Sequence, residues 1–266
     1  MKNVSRRAAF TVGLIALLAL TAAVASGVKL KTKSETATLP GDSDPHSVTA
    51  KCPKGSKSTG GGTQLGDDVN DYVQGSYPAG KRGWTAAAWR SGVTEDTFTA
   101  FARCLKGAKL STESATADVP TDGTAHSATA KCPRGTKVAG GGIQISDEDL
   151  METGGSYPSG KREWTAVGEE AGASGEVTAT ARCLKNAKLV RKSKSLDMPN
   201  DGNTHAVTAK CPKRTKAAGG GIELSEPYDD YIQGTYPSGK RGWTAAGYGD
   251  GEVTAHVVCL KKPKKK

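Results

Sequence analysis

One register is repeated three times along this chain, and that periodicity limits its possible folds more than any other feature. Leu30, Leu110 and Leu189 each stand ten residues before a proline (Pro40, Pro120, Pro199), and each proline stands six before a histidine (His46, His126, His205). Six residues after each histidine comes a cysteine: Cys52, Cys132 and Cys211. Glycine triplets then end at Gly62, Gly142 and Gly221, followed by Tyr77, Tyr157 and Tyr236, then by Trp84, Trp164 and Trp243. Only the last interval varies: a second cysteine follows the tryptophan by 20, 19 and 16 residues (Cys104, Cys183, Cys259). Repetition at such a period marks a tandem array of one structural unit.

Within a unit the pattern is β. Val48, Ala50 and Cys52 alternate with Ser47, Thr49 and Lys51, and Val177, Ala179, Ala181 and Cys183 alternate with Thr178, Thr180 and Arg182. Side chains with a period of two line opposite faces of a strand. The lead-in from Leu30 to Leu39, the glycine-triplet segment, the approach to Tyr77 and "WTAAAW" supply further strands. About six short strands between Gly/Pro/Asp turns predict an all-β unit, a small sandwich or partly open barrel. The variable segments Arg90 to Asp96, Glu169 to Gly175 and Tyr248 to Gly251 read as surface loops, where length changes are tolerated.

The expected organisation is a signal peptide over 1–25, β repeats over 27–105, 106–184 and 185–260, and a basic tail over 261–266. Lys2, Arg6 and Arg7 precede an apolar run that ends in Ala23-Val24-Ala25, an A-x-A cleavage pattern. No later segment is long and apolar enough for a transmembrane span in the mature chain. The joints "LKGAKL" (Leu105 to Leu110) and "LKNAKL" (Leu184 to Leu189) are too short for free tumbling. Whether three closely apposed units form a rod or a ring stays open.

Six cysteines allow 15 pairings. The repeat makes Cys52–Cys104, Cys132–Cys183 and Cys211–Cys259 the natural set. Each would close a loop of about fifty residues, which stabilises by roughly 4 kcal/mol in the chain-entropy model. That matters for units poor in Leu, Ile and Phe. The competing set, Cys104–Cys132 with Cys183–Cys211, would link units and strand Cys52 and Cys259 unless the chain closes on itself.

The order "CPRGTKVAGGG" (Cys132 to Gly142), "SYPSG" (Ser156 to Gly160), Trp164 and "TARC" (Thr180 to Cys183) resembles an uncharacterised repeat of secreted bacterial proteins, in three tandem copies here. The resemblance implies an extracellular β-sandwich module, secreted or at the cell surface. It implies no activity.

Few residues point to chemistry. One histidine and two cysteines per unit, without C-x-x-C spacing, do not make a zinc site. The histidines read best as caps of a strand, with a place in a ligand site as the alternative. The glycine triplets lack the Lys-Ser/Thr ending of a phosphate loop and fit bulges or close strand crossings. Acidic loops follow the triplets: Asp67, Asp68 and Asp71; Asp147, Glu148 and Asp149; Glu226, Asp229 and Asp230. Their spacings differ and match no calcium loop, so they read as solvated. No metal and no cofactor is expected. No copy pairs a recurring nucleophile with a base, so the chain does not read as an enzyme.

The turn "SYPSGKR" is the most informative element. Tyr77, Lys81 and Arg82, then Tyr157, Lys161 and Arg162, then Tyr236, Lys240 and Arg241 recur in register. Pro at the second and Gly at the fourth position of Tyr-Pro-Ser-Gly fit a type I turn, which would put the Lys-Arg pair near the tip. The structural alternative is a hairpin whose tryptophan fills the core and whose cations keep the edge soluble. The formal net charge is +10. Removing the three cations of the signal segment and the five lysines of the tail leaves about +2 for the body, so nucleic acid is not the expected partner. Three readings follow: multivalent binding of an extracellular polysaccharide or cell-wall glycan through the three turns, inhibition of an extracellular protease by a basic loop, and a structural coat protein.

Overall fold

The alternating segments form eighteen strands and no helix among the residues described by the computed structural model, which are 29–66, 70–146, 151–170, 172, 174–226 and 230–261. The expected signal peptide and most of the lysine tail lie outside them, as do Asp67, Asp68, Asp147, Glu148, Asp149 and Asp229. The first repeat contains β1 (Leu30–Leu39), β2 (His46–Lys51), β3 (Ser56–Leu65), β4 (Asp71–Tyr77), β5 (Gly83–Arg90) and β6 (Asp96–Lys106). The second contains β7 (Leu110–Val119), β8 (His126–Lys131), β9 (Thr136–Ile145), β10 (Met151–Tyr157), β11 (Glu163–Glu170) and β12 (Gly175–Lys185). The third contains β13 (Leu189–Asp197), β14 (His205–Lys210), β15 (Thr215–Leu224), β16 (Tyr231–Ser238), β17 (Gly242–Tyr248) and β18 (Glu252–Lys261).

Each repeat packs two three-stranded half-sheets face to face, and each half-sheet continues into a neighbouring repeat. The sheet orders are β1-β6-β3-β16-β17-β14, β13-β18-β15-β10-β11-β8 and β2-β5-β4-β9-β12-β7. Repeat one is thereby joined to three, three to two, and two to one, so the repeats close into a pseudo-threefold ring. The seams are short: Gly75 and Ser76 pair with Gln144 and Ile143, Gly155 and Ser156 with Glu223 and Ile222, and Gly234 and Thr235 with Gln64 and Thr63. Closure leaves no seam strand as a free edge.

The glycine triplets make this geometry possible, and each glycine has its own task. A Cβ on the first glycine of a triplet would meet another repeat's backbone at the axis: on Gly140 it would lie 2.6 Å from the Thr59 oxygen and 2.8 Å from the Gly60 Cα. The second glycines, Gly61, Gly141 and Gly220, carry the rings of Trp84, Trp164 and Trp243, which are fully buried. The third, Gly62, Gly142 and Gly221, lie against the carbonyls of Thr235, Ser76 and Ser156 across the seams. Each indole donates to its seam hydroxyl: Trp84 to Ser76 at 3.0 Å, Trp164 to Ser156 at 2.9 Å and Trp243 to Thr235 at 2.8 Å.

Cys52–Cys104, Cys132–Cys183 and Cys211–Cys259 are bonded, with Cα–Cα distances of 5.4, 5.5 and 5.5 Å. Each bond ties one half-sheet of a repeat to the other. Two of the variable segments begin inside the protein rather than on its surface. Arg90, the last residue of β5, and Glu169, the last but one of β11, are both only 2% exposed, because they still belong to strands that the apical packing encloses.

Every strand pair is antiparallel, so the connections alternate between two ends of the ring. The basal end holds the connections after β2, β4 and β6 and their equivalents, including the joints between repeats. There Leu30, Leu105, Leu184 and Leu260 cluster with Ala108, Ala139 and Ala218. The apical end holds the connections after β1, β3 and β5 and their equivalents.

Candidate functional site

Three hairpin connections place the sequence-derived candidates Lys81 and Arg82, Lys161 and Arg162, and Lys240 and Arg241 at the same basal end. The reversal falls later than Tyr-Pro-Ser-Gly. Ala79 and Gly83 exchange both backbone hydrogen bonds, at 3.1 and 2.9 Å, so Gly80, Lys81 and Arg82 form the loop. Gly80 and Gly239 adopt φ of 62° and 66°, which glycine tolerates without strain. Pro237 still belongs to β16, whose extended backbone suits its fixed φ. In the second repeat Gly160 bonds Glu163, and the loop tightens to Lys161 and Arg162.

These tips are strapped down. The Lys81 carbonyl accepts from the Ser58 amide at 3.2 Å and the Arg82 carbonyl from the Cys52 amide at 2.9 Å. The same pair of bonds recurs at Lys161 and Arg162 and at Lys240 and Arg241. Arg82 and Arg241 also donate from Nε to the carbonyls of Cys52 and Cys211, each at 2.9 Å. Two of the three arginines therefore partly hold their own turn on the disulfide loop. Lys81, Lys161 and Lys240 are exposed, and none forms an ion pair among the described residues.

The tyrosines sit apart from the tips, half-buried at the seams. A Cβ on Gly142 would lie 2.8 Å from the Tyr77 Cα, and on Gly62 or Gly221 it would lie 3.0 Å from the Cα of Tyr236 or Tyr157. Tyr236 stacks on Phe101 with centroids 5.8 Å apart, and Tyr157 on His256 at 5.5 Å. His256 meets Glu223 at 2.8 Å, and burial together with Glu223 pushes the Tyr157 hydroxyl above its ordinary range. Tyr157 and Tyr236 thus each spend one ring face on joining repeats.

Other expected residues serve the fold locally. His46, His126 and His205 clamp their own apical loops onto Asp42, Asp122 and Asp201, at 3.0, 3.1 and 3.0 Å. Asp71 is fully buried against Arg90, and Asp230 accepts from the amides of Asp250 and Gly251. No group of three or more metal-binding side chains occurs among the described residues.

Charge is segregated between the two ends. The basal connections and adjoining strand ends carry Lys51, Lys54, Lys57, Lys81, Arg82, Lys106 and Lys109 in the first repeat. In the second they carry Lys131, Arg134, Lys137, Lys161, Arg162, Lys185 and Lys188, with Glu163 as the one acid. In the third they carry Lys210, Lys213, Arg214, Lys216, Lys240, Arg241 and Lys261. The described apical residues include Asp42, Asp44, Asp96, Asp122, Glu152, Glu169, Glu176, Asp201, Glu226, Asp230 and Glu252, against the single fixed cation Arg90. The small net charge of the body hides this polarity. Cations recurring after each "CP" and in each joint were its sequence signal.

No protein-family model matches this chain, and no curated protein sequence matches it.

Proposed function

We propose that this is an extracellular binding protein whose basal end engages an anionic polysaccharide of the cell wall or cell surface. The observation that supports it most is that all three Lys-Arg turns, with the cations of the two joints, share one end of a rigid ring. Focused positive charge raises the local concentration of a polyanion and speeds its association. One exposed charge contact contributes only about 1 kcal/mol or less, so three tethered copies matter through effective concentration. Three disulfides suit an oxidising compartment, which supports the expectation of export.

The test is retention of the mature chain on an anionic polysaccharide and on a neutral one of matched length. Retention on the anionic polymer alone, weakened by salt and lost when Lys81, Lys161 and Lys240 all become Ala, supports the reading. Equal retention of the triple variant, or equal binding to the neutral polymer, overturns it.

The opposed charges favour a second reading, a coat protein that stacks basal end on apical end. A contact between two different surfaces that does not close gives open filaments. Concentration-dependent growth in sedimentation at low salt, without any polymer, supports that reading instead.

A further inference from the structure

Each repeat leaves one side of its sandwich open. The sheets end on β1 and β14, on β13 and β8, and on β2 and β7, so the first two strands of every repeat are edges that face each other across that side. In the third repeat the open side is a groove of about 520 Å³, lined by Lys192, Lys194 and Leu196 of β13 and by Val207, Thr208 and Lys210 of β14. Val190 packs on the core and Met198 is buried in it, so the two-residue period turns Lys192, Lys194 and Leu196 to the same, inward side.

Divergence between the repeats singles out this edge. At the positions of Lys194 and Leu196 the second repeat has Ala115 and Ala117, both packed on its core, and the first has Glu35 and Ala37. At the position of Lys192 they have Glu113 and Lys33. At the Lys192 and Lys194 positions, therefore, β13 carries two cations, β1 one charge of each sign and β7 a single acid. Lys192, Lys194 and Lys210 are exposed, and none forms an ion pair among the described residues. An inward charge guards an edge strand against pairing, and Glu113 alone supplies one on β7. The second lysine of β13 and its 38% exposed Leu196 exceed that need.

We propose that this groove takes an acidic, extended peptide segment, which adds to the free edge of β13 as a further strand and sets alternate Asp or Glu side chains against Lys192 and Lys194. Within its sheet β13 pairs with β18 alone, so its other edge offers the amides and carbonyls that an added strand needs. Residues two apart on a strand stand about 7 Å apart on one face, so a partner whose acids have the same period meets both lysines at once. Opposite charges across paired strands stabilise them. Leu196 is the next residue on that face and fits an apolar side chain two positions beyond the acids. A second copy pairing through the same edge would instead bring lysines together. A polysaccharide has no backbone ladder to offer, and no aromatic ring lines the groove for sugar stacking among the described residues. The site stands apart from the three Lys-Arg turns and does not depend on what they bind.

The experiment titrates the full mature chain into a fluorescein-labelled, end-blocked peptide, Val-Thr-Glu-Thr-Glu-Thr-Val, whose order is the same in either strand direction. Anisotropy is followed at constant ionic strength, beside the same peptide N-methylated throughout and with a galacturonate tetramer as competitor. A saturable rise is expected, at least about tenfold weaker when Lys192→Glu and Lys194→Ala together give β13 the residues of β7. The N-methylated peptide should bind at least about tenfold more weakly as well, because it cannot extend the ladder. Lys194→Ala alone should weaken binding about threefold, and serves if the double variant fails to fold. Changing Lys81, Lys161 and Lys240 to Ala should leave peptide affinity unchanged. Absence of saturation, equal affinity in the β13 variants, equal binding of the N-methylated peptide, tighter competition by the galacturonate than by unlabelled peptide, or loss of binding with the three turn lysines overturns the proposal.

Discussion

The guanidinium of Arg182 donates from Nε to the carbonyl oxygen of Ser58 at 2.9 Å, across 124 residues of chain and a seam between repeats. Its other nitrogens reach Ser58 Oγ, Thr112 Oγ1 and the carbonyls of Gly80 and Lys81. Arg103 makes the equivalent reach to the Ala217 carbonyl at 2.8 Å. Burial draws both arginines down to about 10, which leaves them charged at neutral pH. The third seam does without a cation: Val258 is packed in one apolar cluster with Val138.

Replacing Arg182 by Val should cost about 3 kcal/mol, because buried carbonyls lose their donor. Adding Ser58→Val recreates the apolar third seam and should recover part of that loss. A denaturation cycle over the two singles and the double checks this. Strict additivity would show that the seams are not interchangeable.

Glycines at the axis should tolerate nothing larger. In Gly140→Ala the new methyl would sit 2.6 Å from a backbone oxygen and 2.8 Å from a backbone carbon of another repeat, and neither is free to move. We expect a loss of more than about 3 kcal/mol or failure to fold, in the range of severe overpacking. Gly155→Ala, whose new methyl would meet nothing closer than 3.5 Å, should stay within about 1 kcal/mol. Thermal melts of the oxidised proteins decide between them.

The loop clamps have a pH signature. His205 first, then Asn203, hold the exposed Asp201 carboxyl down to about 2, against an ordinary value of 3.8. A depressed folded-state value means that its contribution is full above about pH 4 and fades as pH falls through about 2. The difference in denaturation midpoint between the parent and Asp201→Asn should therefore shrink as pH falls from about 4 towards 2. A difference that grows over that range would contradict the clamp.

The strands, the repeat and the disulfides were legible because each is written locally: alternation marks a strand, and cysteines in register mark a pair. The ring was not, because each seam rests on two paired residues, such as Ser76 with Ile143, in segments that any sandwich would contain. The glycine triplet carried the needed information, but its three separate tasks show only when three copies meet. Lys81, Lys161 and Lys240 were legible as exposed, whereas their common end follows from alternation of connections that no local pattern records. Lys194 and Ala115 lie at one repeat position, and reading them required treating divergence between copies as a signal alongside recurrence.

Equivalence of the seams gives the last prediction. A lone repeat leaves two seam strands as bare edges and exposes its share of the basal leucine cluster, so it should not persist as a monomer. Three identical copies can rebuild the ring. Residues 185–261 would bring three copies of Tyr231 and Tyr248 to the apex, whereas residues 106–184 would gather three copies of Glu152 and Glu169. Repulsion among poorly solvated carboxylates opposes the second assembly and not the first. Sedimentation of the oxidised fragments should therefore find a trimer for 185–261. For 106–184 it should find association at least about tenfold weaker at neutral pH, improving on acidification because the Glu152 carboxyl is already raised. A folded, monomeric 185–261 would show that the seams are dispensable and that each repeat is a domain in its own right.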